Sequence, residues 1–199
     1  MKKIVVFAAA TFLLAGCAQR QVNRDEWLTM TTHTFPKTTI DAVLKTGDKV
    51  LTLSDPSDVA VAHSKEKLSA YRKFLIYAVF SATMGRYEFD LTAEQKGEDV
   101  VTTLDIKSSI TPVFGGEIKH PWKWREAYEL FYGRMDALLY GGTWLTCADA
   151  QEKSEADWYL EPLCLLADDT LPEAGVKLTD ADQKRQDAKL AKKSYTDKL

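Results

Sequence analysis

The sequence predicts an α+β fold: an antiparallel sheet of about four to five strands, a long C-terminal helix packed on one face, and an aromatic appendix beyond that helix. Two observations carry the reading. Between Val59 and Ile106, apolar residues recur largely at every second position, the period of strands with one buried face. Between Trp124 and Leu139 they recur at every third and fourth position, the period of a helix with one apolar stripe.

Taken in order, Trp27 to Thr34 alternates loosely and is rich in threonine, which reads as a strand. Pro36 suits the first turn of a helix, and Ile40, Val43, Leu44 and Gly47 fall on one face. A helix over 36–47 is therefore expected, with Gly47 near its end as a cap. Leu51 and Leu53 read as a short extended piece before the turn Ser54-Asp55-Pro56-Ser57. Val59, Val61 and His63 form a strand, Lys65-Glu66-Lys67 turns the chain, and Leu68 to Tyr77 runs back as the next strand. Tyr87, Phe89 and Leu91 alternate again, Gln95-Lys96-Gly97-Glu98 makes a hairpin, and Val100, Thr102, Leu104 and Ile106 complete the meander. One face of this sheet is apolar and the other largely polar. Thr111 to Pro121 holds two prolines and two glycines and reads as a loop. Beyond it Trp124, Ala127, Tyr128, Phe131, Met135, Leu138 and Leu139 stripe the strongest helix, which Gly141-Gly142 stops. So much aromatic surface needs a sheet face to cover it.

The first residues carry a different message. Lys2 and Lys3 precede an uncharged, mostly apolar run from Ile4 to Leu14, too short to span a bilayer, which takes roughly 20 residues. Leu14, Ala15, Gly16 and Cys17 follow it. Leu-Ala-Gly-Cys resembles the lipobox of bacterial lipoproteins, in which the cysteine is acylated and becomes the first mature residue. Ala18 stands where an aspartate would resemble an inner-membrane retention signal, so the resemblance implies the outer membrane. More than one acyl chain is needed for stable attachment, and a triacylated cysteine provides it. Once Cys17 goes to lipid, Cys147 and Cys164 are the remaining pair, and an oxidising compartment should join them.

The resulting layout is a signal peptide over 1–16, a lipidated tether over 17–26, the α+β domain over 27–142, a disulfide-closed extension over 143–168, and a polar tail over 169–199 that is expected to be disordered. The order strand, helix, strands, helix also resembles, in topology only, the helix-grip domains of lipoproteins in the outer-membrane β-barrel assembly machinery. The formal charge of −3 becomes −5 when Lys2 and Lys3 are removed, a balance that argues against a nucleic-acid partner and against electrostatic attraction to an anionic bilayer.

Signatures of catalysis are missing from the sequence, and no cofactor or metal site is expected. His33, His63 and His120 belong to no ligand pattern. His63 lies among apolar strand residues and is expected to pack half-buried. Ser64 to Lys67 matches S-x-x-K and Lys45-Thr46-Gly47 matches K-T-G, but their order is reversed relative to penicillin-recognising enzymes and Ser64 sits in a hairpin. Asp168-Asp169 reads as solvated. Paired carboxylates for glycoside hydrolysis leave no sequence spacing.

The most suggestive segment is Phe74 to Gly85, which is uncharged and does not alternate. One reading is a central strand covered on both faces or running into a buried bend; the other is an apolar loop that docks on a partner protein or dips into the leaflet, for which Phe74, Leu75, Ile76, Tyr77, Val79, Phe80 and Met84 are the candidate contacts, with Phe114 and Trp122 of the following loop extending the patch. The expectation is a non-catalytic, lipid-anchored subunit that binds another envelope protein at the outer membrane. The alternatives are a carrier or sensor of an apolar ligand, and a cell-wall hydrolase.

Overall fold

The computed structural model describes residues 21–54, 59–78, 81–111 and 115–164, with only the backbone of 76–78 and 81–83. Cys17 and the tail over 169–199 lie outside the described residues, as do Val79, Phe80 and Phe114.

The fold is α+β. Helix α1 (Arg24–Thr31) leads into β1 (Thr32–Phe35), followed by α2 (Ile40–Ser54) and then the strands β2 (Val59–His63), β3 (Lys67–Ala78), β4 (Ser81–Lys96), β5 (Asp99–Thr111) and β6 (Ile118–Pro121). Helix α3 (Arg125–Tyr140), a short α4 (Cys147–Lys153) and a 3-10 turn (Asp157–Leu160) complete the elements of the described residues. The sheet is antiparallel with six strands, in the order β1-β5-β4-β3-β2. The first half of β5 pairs with β1, and its second half pairs with β6.

Several expectations are corrected. Among the described residues the sheet has six strands rather than four or five, because a sixth strand, β6, lies inside the segment read as a loop. Its four residues are all exposed, so no buried alternation marks them. The stretch 27–34 is mostly helix: the Asn23 side chain accepts from the Glu26 amide, and Asp25 and Glu26 sit in the first turn where the helix dipole favours acids. The threonines that suggested a strand turn their hydroxyls back onto the helix, Thr29 to the Asp25 carbonyl and Thr31 to that of Trp27. The second helix starts at Ile40, with Pro36 and Lys37 in a turn before it, and continues to Ser54, taking in Leu51 and Leu53. Gly47 is therefore no cap. A Cβ there would stand 2.9 Å from Leu91 Cδ2 and 3.6 Å from Phe131 Cζ, so glycine permits α2 to press against both the sheet and α3.

The helix stripe of α3 is as expected, but α3 is neither the C-terminal element nor the sole cover of the sheet. α2 and α3 share the inner face, α2 over β3 and β4, α3 alongside it. The core is filled by Phe35, Val43, Leu51, Leu68, Phe89, Leu91, Leu104, Ile106 and Phe131, all at or near complete burial. The Tyr128 hydroxyl fastens α3 to β5, donating to the Trp122 carbonyl at 2.9 Å and accepting from the Ile106 amide at 3.4 Å. Burial pushes the Tyr128 phenol well above its ordinary range, which keeps it a donor.

The extension folds back as expected. Cys147 and Cys164 are joined, with Cα atoms 5.8 Å apart. Trp124 stacks on Tyr159 at 4.0 Å, and Trp158 meets both Trp122 and Trp124 edge-on. The buried Arg72 of β3 donates to the carbonyls of Glu161 and Pro162. Buried Arg134 of α3 donates to the Leu145 carbonyl, to Ser54 Oγ and to Cys147 Sγ, with its guanidinium 4.7 Å from the Trp144 ring.

Candidate interaction surface

Both helices lie on one side, so the other face of the sheet is open. The register sets its chemistry in rows. Tyr71, Glu88 and Lys107 stand across from one another, as do Ser69, Asp90 and Asp105, and Lys73, Arg86, Ser109 and Lys119. Like charges directly opposite each other destabilise a sheet unless a counter-ion intervenes. For Asp90 and Asp105 the intervening group is Lys107, whose Nζ is 2.6 Å from Asp105 and 3.9 Å from Asp90. Lys67 adds a contact to Asp90 at 2.9 Å, and Ser69 donates to it at 2.7 Å. Glu88 accepts from Lys119 at 2.8 Å and pairs with Arg86, which also reaches Glu117.

This pairing decides the protonation of the face. Burial pushes the Glu88 carboxyl up, but the Lys119 hydrogen bond and the charges of Arg86 and Lys119 outweigh it and hold Glu88 below its ordinary 4.5. Burial likewise raises Asp90, while Lys67, Ser69 and Lys107 bring it below 3.8. Lys107 is held above 10.5, chiefly by its hydrogen bond to Asp105. The alanines of β2, Ala60 and Ala62, leave a hollow of about 290 Å³ beside Ser69, Tyr71, Glu88 and Asp90. Both carboxylates in it are held ionised.

The second feature is an arm. The β3–β4 ladder continues to Ala78↔Ser81, whereas β2 stops pairing at Arg72 and β5 at Met84. Leu75 and Met84, opposite each other in register, are 45% and 57% exposed. At the root of the arm Phe74 is half-buried; its ring lies over Gly85, where a Cβ would have no room, and 4.6 Å from Tyr87. The candidate contacts therefore separate. Leu75 and Met84 face outward and Phe74 closes the end of the core. Ile76 and Tyr77 are placed by backbone register alone. Trp122 is corrected: it is 8% exposed, its indole N–H donates to the Tyr159 carbonyl at 3.0 Å, and its ring packs edge-on to Tyr87. It belongs to the core rather than to a contact patch, because the extension covers it.

The histidines take local partners. His33 stacks on Tyr132 and contacts Asp136, and His120 is exposed in β6. His63 is exposed at the sheet edge rather than packed in an apolar layer, with Nε2 2.6 Å from Asp48 Oδ2. Among the described residues there is no group of three or more His, Cys, Asp or Glu side chains that could hold a metal ion, and no helix long and apolar enough to cross a membrane. The charge lattice escaped the sequence reading, although Arg86-Tyr87-Glu88-Phe89-Asp90 shows charges at every second position.

No protein-family model matches the chain, and no curated protein matches it. A crystal structure of a DUF4468 family protein from Bacteroides ovatus is similar at 13% identity and a TM-score of 0.28, over 50% of this chain and 63% of that one. The chain thus spans less than two thirds of that protein's length, and a likeness at this level carries no argument about fold or function.

Proposed function

We propose that this protein is a non-catalytic lipoprotein of the bacterial envelope, held at the outer membrane through acylated Cys17, that binds another envelope protein through the open face of its sheet. One observation carries the binding role: the face is a lattice of mutually neutralised charges around a shallow hollow, with Tyr71 39% exposed at its rim. Such a face offers a fixed pattern of donors and acceptors for recognition, and a rigid aromatic of the kind enriched at interfaces. Leu14-Ala15-Gly16-Cys17 supports the anchor, and the Cys147–Cys164 bond accords with an oxidising compartment.

The test is photo-crosslinking in intact cells from benzoylphenylalanine placed at Tyr71, combined with palmitate labelling. A discrete crosslinked envelope protein, and label lost in Cys17→Ser, are expected. Crosslinks that form equally from a site on α1 would remove the open face from the proposal, and label retained in Cys17→Ser would remove the anchor.

A further inference from the structure

We infer that the Cys147–Cys164 bond is a site of thiol–disulfide exchange, in which Cys147 is the sulfur a partner attacks and Cys164 the one that resolves the mixed disulfide. The co-reactant is a polypeptide carrying a pair of thiols. The exchange needs neither the acyl anchor nor the open face of the sheet. The two sulfurs differ first in access. Cys164 is 1% exposed, and its amide donates to the Leu160 carbonyl at 2.8 Å. Cys147 is half-buried at the start of α4, with Ala148 and Asp149 exposed beside it. An incoming thiolate therefore meets Cys147.

They differ also in charge. Buried Arg134 holds its Nη2 at 3.3 Å from Cys147 Sγ. Its guanidinium is fixed from three other directions: Nε donates to the Leu145 carbonyl at 2.8 Å, Nη1 to Ser54 Oγ at 2.7 Å, and the Trp144 ring lies 4.7 Å away. These three partners are neutral, and Ser54 is itself tied to the Val50 carbonyl at 2.8 Å. While the disulfide is intact its sulfur carries no charge and gains little from Arg134. Once the bond opens, a thiolate at Cys147 receives a charge-assisted hydrogen bond from a cation already in place, the surroundings that lower a thiol's pKa. Asp149, two residues on, opposes this, but it is exposed to solvent screening and directs its carboxylate at the Thr146 hydroxyl and amide, at 2.7 and 3.3 Å.

The two differences act on the same sulfur, which is what the chemistry requires. The partner's first thiolate attacks Cys147 Sγ; a bond forms between them, and the electron pair of the broken bond leaves on Cys164, which takes up a proton in its buried setting. The partner's second thiolate then attacks the partner sulfur of the mixed disulfide, and Cys147 departs as the thiolate paired with Arg134. A leaving thiol of low pKa departs faster, so Arg134 favours this second step. The partner's two thiols have become a disulfide and lost two electrons, and the Cys147–Cys164 bond has gained them. Of the two thiol protons, one ends on Cys164 and one in solvent. Each chain reacts once, so the exchange is stoichiometric and leaves the proposed binding role intact.

The test uses the full mature chain carrying Cys17→Ser, so that two cysteines remain. In the reduced chain, thiolate absorbance followed against pH should show one thiol ionising at least about one unit below the ordinary value of about 8.5. Iodoacetamide at neutral pH, mapped by mass spectrometry, should label Cys147 at least about 10-fold faster than Cys164. The oxidised chain, mixed with a synthetic dithiol peptide and quenched in acid, should yield a mixed disulfide on Cys147 and then one oxidised peptide per chain. Arg134→Met should return the thiol towards about 8.5 and leave about 10-fold less peptide oxidised at equilibrium, and Arg134→Lys should restore part of both. Should Arg134→Met fail to fold, the labelling order and the mixed disulfide of the parent chain decide alone. Two thiols ionising at or above the ordinary value, faster labelling of Cys164, or a mixed disulfide on Cys164 would each overturn the inference.

Discussion

Replacing both Cys147 and Cys164 with alanine should cost the protein about 4 kcal/mol. The two are 17 residues apart in sequence, and closing a loop of that length removes about 3 kcal/mol of unfolded-chain entropy in the simplest model. Cys164 is 1% exposed, and losing buried sulfur contacts adds about 1 kcal/mol. With a urea dependence of about 2 kcal/mol per molar, the unfolding midpoint should fall by about 2 M. The assay is equilibrium urea unfolding followed by far-ultraviolet circular dichroism on oxidised wild type and the double variant. Wild type unfolded and refolded in excess dithiol should superimpose on the variant to within the sulfur contribution. A fall of less than about 0.5 M would refute the reasoning. It would mean that the aromatic cluster of Trp122, Trp124, Trp158 and Tyr159 keeps the two ends together even in the unfolded ensemble, so that the bond constrains nothing.

Tyr128→Phe removes a single oxygen and leaves the Trp122 carbonyl and Ile106 amide without it, so a loss of about 1–3 kcal/mol is expected by the same unfolding assay. Gly47→Val should destabilise by about 2–4 kcal/mol and lower the thermal midpoint, because its branches would enter the space of Leu91 and Phe131. Glu88 and Asp90 titrate below their ordinary values of 4.5 and 3.8, so the stability they contribute is present above those values and disappears as pH falls through their lower folded values. Lys107 acts at the other end: its contribution is full below 10.5 and disappears as pH rises through its higher folded value. Thermal midpoints across pH should show both edges, and Lys119→Met should flatten the acid one, since Lys119 supplies the leading favourable contact to Glu88.

The parts legible in the sequence are those where burial imposes a period. β5 alternates buried and open from Val100 to Ile106, and α3 repeats Ala127, Tyr128, Phe131 and Met135 on its covered side. Those patterns located the meander and its principal helix. α1 escaped because it is polar overall, with only Met30 and Thr31 buried; its signal was the cap, Asn23 followed by Asp25 and Glu26, and not a stripe. The true end of α2 was visible, since Val50 and Leu51 continue the spacing of Val43 and Leu44. Glycine near a plausible stop outweighed it, and the requirement for glycine at 47 comes from Leu91, far away in the chain. The open face was partly legible for the same reason as the core, by alternation, but which charges neutralise which depends on register between strands. Lys119 meets Glu88 across two strand pairings that no local pattern announces.

The ring of Phe74 seated over Gly85 has a practical consequence for anyone wishing to shorten this protein. It acts as a bung where the packed interior gives way to the two-stranded projection. A deletion that begins at Leu75 and resumes at Gly85, bridged by a tight Asn-Gly reversal, leaves the bung in place and should yield a trimmed body that keeps its interior dry. Cutting one pair deeper would pull it out and open Tyr87 to water.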